Sequence, residues 1–122
     1  MRFHAAVPLL RIFDVAKARE FYVDFLGFSW AWEHRFGPDA PVYVQVERDG
    51  LVLHLTEHFG DASPGASLRI RVEGVEALHA ALTAKDYRHA RPGLETMPWG
   101  ERAVIVTDPF HNRLYFHEEQ SA

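Results

Sequence analysis

The sequence predicts an α+β fold built from two βαβββ modules, whose curved mixed sheets carry their helices on the outside. Three observations predict it. The order strand, helix, three strands occurs twice, at an offset of about 60 residues. The strands alternate aliphatic residues with polar or aromatic ones, the period of a sheet with two different faces. Turn chemistry separates the segments, as in Gly37-Pro38-Asp39, Asp49-Gly50 and Asp108-Pro109. With 122 residues the chain reads as one domain over 1–122. Module 1 covers about 1–58, a linker 59–65, and module 2 about 66–118.

His4 to Phe13 reads as the first strand, broken in conformation by Pro8. Asp14 is a good N-cap, and the helix it opens runs to about Leu26, where Gly27 stops it. Ala18, Tyr22, Phe25 and Leu26 lie on one side of that helix. Phe28 to Phe36, Val42 to Glu47 and Leu51 to Glu57 follow as strands, the last two joined by the hairpin signal Asp49-Gly50. Phe59 to Gly65 has linker chemistry. The second module then runs Ser67 to Val72 as a strand and Val75 to Lys85 as a helix buried through Val75, Leu78 and Leu82. Tyr87 to about Leu94 is a weak strand, and Arg102 to Thr107 and Arg113 to Glu118 are clear ones.

Alternation assigns the faces. Leu51, Leu53 and Leu55 oppose Val52, His54 and Thr56; Val42, Val44 and Val46 oppose Tyr43, Gln45 and Glu47. Leu68, Ile70 and Val72 oppose Ser67, Arg69 and Arg71; Leu114 and Phe116 oppose Arg113, Tyr115 and His117. The aliphatic faces must meet the helices. The polar-aromatic faces then form a concave cup of the kind that takes a small molecule. Trp30, Trp32, His34 and Phe36 alternate, so they share a face, either as a wall of that cup or as core and dimer packing. Trp99, between Pro98 and Gly100, reads as a loop residue free to touch a ligand.

Composition excludes several functions. Cys is absent, which removes disulfides, thiolate metal sites and cysteine nucleophiles. The formal net charge of −4 and the lack of a Lys/Arg cluster argue against nucleic acid as partner. No apolar run is long enough to span a bilayer, and Met1-Arg2-Phe3-His4 lacks a signal-peptide core, so the expected location is the cytoplasm without membrane attachment.

Certain segments are similar to a known family. Ala6-Val7-Pro8-Leu9-Leu10, Asp14-Val15 and Phe21-Tyr22-Val23-Asp24-Phe25-Leu26-Gly27-Phe28 resemble the opening of the bleomycin-resistance proteins. These belong to the glyoxalase/bleomycin resistance/dioxygenase, or vicinal-oxygen-chelate, superfamily. Asp49-Gly50-Leu51-Val52-Leu53-His54-Leu55 resembles the end of their first module, and Pro98-Trp99-Gly100-Glu101-Arg102 with Asp108-Pro109 their second-module signature.

The resemblance implies the glyoxalase-like fold and sets its function classes apart. Superfamily enzymes hold a divalent metal with one His or Glu at each of four strand positions, which fall here on Val7, His54, Ser67 and Tyr115. One imidazole among Val, Ser and Tyr is not a metal site, since stable sites need three or four protein ligands. The reading therefore favours no cofactor and no catalytic residue. It favours non-catalytic binding and sequestration of a small planar aromatic compound, cationic ones such as bleomycin-like antibiotics included. A metal-dependent lyase or dioxygenase of the same superfamily is the alternative, and a bare interaction module is a third. The family implies a homodimer with an exchanged N-terminal strand hinged at a proline, matched by Pro8, and ligand grooves at the dimer interface. The expected ligand contacts are Trp99, Tyr43, Trp32, Phe36, His54, Tyr115 and Arg69. Arg11, Arg69 and Arg71 face the cup, either paired with Glu47, Glu57 or Glu101 or free for an anionic group.

Overall fold

The protein is described here by a computed structural model covering residues 1–120. Eight strands and two helical segments follow the predicted order. β1 (Leu9–Arg11), α1 (Val15–Arg19), β2 (Ser29–His34), β3 (Tyr43–Arg48) and β4 (Leu51–Thr56) form the first module. β5 (Ser67–Arg71), α2 (Val75–Ala84), β6 (Glu95–Thr96), β7 (Glu101–Thr107) and β8 (Arg113–Glu119) form the second. The sheets have matching orders, β1-β4-β3-β2 and β5-β8-β7-β6. In each, the strand before the helix pairs in parallel with the last strand of its module, and the remaining pairs are antiparallel. The repeat in the sequence is thus a repeat of topology.

Local chemistry explains the boundaries. The Asp14 carboxylate accepts the Lys17 N–H at 2.9 Å, which caps α1. Beyond Arg19 the helix widens into a π-type segment over Glu20–Phe25, where the Leu26 N–H donates to the Phe21 carbonyl five residues back at 2.9 Å. The wider turn brings Phe21 into the core beside Tyr22 and Phe25. Asp49 (φ 52°) and Gly50 (φ 83°) both occupy the left-handed region, as the tight β3–β4 hairpin requires.

Gly27 ends the helix at φ +77°. A Cβ there would meet Arg48 Nη1 at 3.2 Å, and that same nitrogen donates to the Leu26 carbonyl at 2.6 Å. Gly27→Ala is therefore expected to cost about 1–2 kcal/mol from backbone strain, with Arg48 displaced from its carbonyl. A urea midpoint equal to that of the parent protein would contradict this.

One strand is shorter than expected and another is displaced. Residues 1–8 are not part of a strand; the Pro8 carbonyl only accepts the His54 N–H at 2.9 Å, and Leu9–Arg11 carry the pairing. The strand expected over Tyr87 to about Leu94 is not there: that span is turn and irregular chain, and the short strand Glu95–Thr96 begins just beyond it. Tyr87 is used differently, as a ring against Phe25 at 4.9 Å and a hydroxyl donating to Glu20 at 2.7 Å.

The aliphatic faces behave as the alternation requires. Leu53, Leu55, Val42, Val44, Val46, Ile70, Val104, Val106, Leu114 and Phe116 are buried together with Ala18, Tyr22, Phe25, Leu26, Val75 and Leu82 in one continuous core. Each large side chain buried this way contributes roughly 1.5–3 kcal/mol. Both sheets thus turn their aliphatic faces to a common core, and their polar-aromatic faces turn away from it. Among the described residues no helix is long and apolar enough to cross a membrane.

Candidate functional site

On the first sheet, strand register lays out the exposed face in two rows. Leu9, His54, Gln45 and Trp32 are neighbours across β1, β4, β3 and β2. Arg11, Thr56, Tyr43 and His34 form the next row. The Trp32 and Tyr43 rings stack, with centroids 6.1 Å apart and planes 13° from parallel. His54 stands edge-on to both, 5.5 Å from Trp32 and 5.1 Å from Tyr43. Trp32 keeps 43% of its surface exposed, so the stacked pair presents an open aromatic surface.

A β-bulge between Trp30 and Trp32 sets this arrangement. Trp30 is opposite Val46 and Trp32 opposite Gln45, so one residue of β2 is extra and the two indoles fall on opposite faces. The expectation that Trp30 shares a face with Trp32 is corrected on that ground. Trp30 packs against the core, lies under the Arg19 guanidinium at 4.3 Å, and donates to Glu33 at 3.1 Å. Trp32 and His34 stay on the polar-aromatic face, opposite Gln45 and Tyr43. Phe36 lies beyond the end of β2, 83% exposed, with its ring 4.6 Å from His34 and 6.2 Å from His58.

His54 is held by two hydrogen bonds. The Tyr43 hydroxyl lies 2.7 Å from its Nδ1, and Gln45 Oε1 lies 3.0 Å from its Nε2. With Gln45 Oε1 accepting, Nε2–H is the donor to it, and in the neutral ring Nδ1 accepts from the phenol. Burial lowers the His54 pKa from its ordinary 6.5, favouring the neutral ring. Burial first, and the nearby Asp61 carboxylate second, raise that of Tyr43. The unfolded chain binds the His54 proton more readily than the folded chain. This part of the stability is full above the ordinary value and is lost as pH falls from there to the lower folded value. His54→Gln should therefore lose less stability on acidification than the parent chain; denaturant midpoints that fall in parallel would contradict this.

On the second sheet, Arg69, Tyr115 and Ile105 form one row and Arg71, His117 and Ala103 the next. Arg69 Nη2 donates to both oxygens of Glu101 at 2.6 Å. Of the two options for Arg69, pairing is therefore the one observed. The Glu101 side chain is only 8% exposed, and its Oε2 lies 3.2 Å from His117 Nδ1 without a hydrogen bond between them. Arg69 foremost, with His117 and the Trp99 indole, holds the Glu101 carboxyl below its ordinary value against the opposing effect of burial. Trp99 itself sits in a tight turn in which the Gly100 N–H donates to the Met97 carbonyl at 2.9 Å, and it is 66% exposed. The Tyr115 hydroxyl accepts from Arg113 at 3.3 Å. Arg11 has no carboxylate within ion-pair distance among the described residues; its guanidinium lies over the Phe13 ring at 4.5 Å.

The expected contacts thus fall into two groups. Trp32, Tyr43, His54 and Phe36 gather at the first sheet, and Arg69, Tyr115 and Trp99 at the second. Among the described residues, no hydrogen bond, ion pair or ring contact joins the groups. The two polar-aromatic faces thus lie apart within one chain, each carrying part of the expected set. Glu101, Gln45 and His117 were not among the expected contacts. The period-two pattern places all three on the polar-aromatic faces, which was the available signal.

A family model for glyoxalase superfamily proteins matches residues 1–122. The chain belongs to the glyoxalase superfamily. A bleomycin resistance protein of Geobacillus stearothermophilus is 26% identical over 132 residues, covering 93% of this chain and 96% of its own. The bleomycin-binding protein of Streptomyces verticillus, solved with copper(II)-bleomycin, is 28% identical, with a TM-score of 0.68 and 99% of both chains covered. An antibiotic binding protein from Streptomyces sp. CB03234 is 27% identical, with a TM-score of 0.73 over 98% of this chain and all of its own.

The donor set of this glyoxalase superfamily chain does not fit a divalent metal. Of the four strand positions, only His54 offers an imidazole, and both of its nitrogens are engaged by Tyr43 and Gln45. Among the described residues no group of three or more His, Asp or Glu side chains converges for an ion.

Proposed function

We propose that the chain binds and sequesters a small planar aromatic compound of the bleomycin type, without transforming it. The observation that carries this reading is the stacked pair of an exposed Trp32 and a half-buried Tyr43 on the face opposite the aliphatic core. A flat heteroaromatic ring laid on that surface gains area burial and stacking energy together. Trp99 supplies a second exposed indole. The half-site on the first sheet carries a charge of each sign near Tyr43, the Asp61 carboxylate and the Arg11 guanidinium in the same row, so it can take a cationic or an anionic substituent.

We further propose that the working unit is a homodimer. In it, the first sheet's exposed face meets the partner's second sheet, so that each of two equivalent grooves combines both half-sites. A two-fold interface closes with two identical grooves, since each surface meets its counterpart twice. The eight residues before Leu9 form no strand of their own sheet and expose Met1 and Phe3, which fits an arm that crosses to the partner at Pro8. Location in the cytoplasm remains part of this proposal.

Sedimentation at micromolar concentration is expected to give a dimer; a monomer would contradict the composite groove. Titration with bleomycin and a panel of other flat aromatic antibiotics is expected to quench the Trp fluorescence saturably. Absence of quenching by any of them would overturn the aromatic reading. A stoichiometric divalent ion bound at His54 in the purified protein would favour the lyase or dioxygenase alternative.

A further inference from the structure

We propose that Arg69 and Glu101 form a charge-cancelled hydrogen-bond donor beside Trp99, which selects flat ligands carrying a neutral acceptor oxygen, such as a carboxamide, over ligands carrying a carboxylate. This rests on the aromatic-binding reading above and assigns the chemistry of the ligand's substituent.

Arg69 starts on β5 and reaches across β8 to Glu101 on β7. Both carboxylate oxygens are taken by one nitrogen, Nη2, at 2.6 Å. Nη1 and Nε are left without a protein acceptor among the described residues, and the Arg69 side chain is 49% exposed. The guanidinium is therefore anchored at one corner and presents its other N–H groups to whatever enters the half-site. Its charge is a different matter. Glu101 lies almost out of solvent in direct contact with it, so the pair has little net charge towards a ligand.

A carboxylate arriving there must shed strong hydration and then sits next to Glu101. A carbonyl oxygen sheds less and accepts the same N–H groups. Position favours the contact as well. Trp99 precedes Glu101 by two residues, so a ring lying on the indole brings its substituents towards the guanidinium. Arg71 and Arg113 start on the same strands' face, and Arg71 stands in the row between Arg69 and Glu101, but among the described residues neither has a hydrogen bond or ion pair to Glu101, and Arg113 donates to the Tyr115 hydroxyl. Neither replaces Arg69 at the Trp99 turn.

The test uses three probes with the same flat body: bithiazole, its carboxamide and its carboxylate, each titrated into the full chain at neutral pH. The parent protein is expected to bind the carboxamide roughly tenfold more tightly than the carboxylate, and several-fold more tightly than the bare ring. Glu101→Gln keeps the shape and removes the negative charge, leaving Arg69 a full cation. The order of carboxamide and carboxylate should then reverse, which a merely structural role for Glu101 would not cause. Should Glu101→Gln fail to fold, the paired replacement Arg69→Met with Glu101→Leu removes both charges together, and its carboxamide and bare ring should bind alike. A parent protein that binds the bare ring but does not prefer the carboxamide to the carboxylate overturns this inference alone. So does a Glu101→Gln variant with an unchanged order. If none of the three probes binds, the aromatic reading falls and takes this inference with it.

Discussion

Replacing Asp108 by Ala is expected to remove about 3–5 kcal/mol of folding stability, the cost of stranding several buried hydrogen-bond donors at once. Asp108 is 4% exposed and is the acceptor at the centre of the contact between the modules. It takes the Tyr22 hydroxyl at 2.6 Å, the Phe110 and Asn112 backbone N–H groups at 2.8 Å each, and Asn112 Nδ2 at 2.9 Å. Asn112 carries the network on, donating to the Arg11 carbonyl at 2.8 Å and accepting the Ala66 N–H at 3.3 Å. One carboxylate therefore ties the first module's helix, through Asn112 the end of β1 and the end of the linker, and the β7–β8 turn. Removing it strands several buried donors, each costing about 1–3 kcal/mol if it finds no water. Tyr22→Phe deletes one donor only and should cost less. Urea unfolding followed by circular dichroism and Trp fluorescence would measure both; an Asp108→Ala midpoint close to that of the parent protein would contradict the account.

Trp99→Ala is expected to weaken binding of a flat aromatic ligand by roughly 1–3 kcal/mol, comparable to the loss of one stacking platform. The fold should hardly notice. The indole is 66% exposed on a four-residue turn whose Met97–Gly100 and Met97–Glu101 contacts are made by backbone. Truncation leaves no cavity in the core. Were Trp99 a core residue, the same change would cost about 3–5 kcal/mol of stability. The two effects separate in a melting curve and a bleomycin titration of the same variant. A collapsed melting temperature, or an affinity that does not move, would show that Trp99 is wrongly placed.

Much of the fold was legible in the sequence because strand alternation and turn chemistry are local. Leu53, Leu55, Val44 and Val46 alternate and are buried; Asp14, Gly27 and Asp49-Gly50 mark their boundaries where the chain turns. What was not legible depends on partners far along the chain. The bulge that separates Trp30 from Trp32 arises from pairing with Val46 and Gln45, and nothing in Ser29–His34 alone announces an extra residue. Tyr22 and Asp108 are 86 residues apart, so neither reads as the other's partner. Of the candidate residues, the sheet faces were legible. The faces of Tyr43, His54, Arg69 and Tyr115 followed from period two, but their separation onto two sheets that share one core depends on tertiary packing. Pairing of Arg69 with Glu101 was one of the options open in the sequence, and only the sheet order β5-β8-β7 brings the two within reach.

The most direct test of binding without metal chemistry is a calorimetric titration of metal-free bleomycin into chelator-treated protein. The account predicts saturable binding with one ligand per chain, and the same affinity when a divalent ion is added back to the protein before titration. Binding that disappears after chelation and returns with the ion would contradict it.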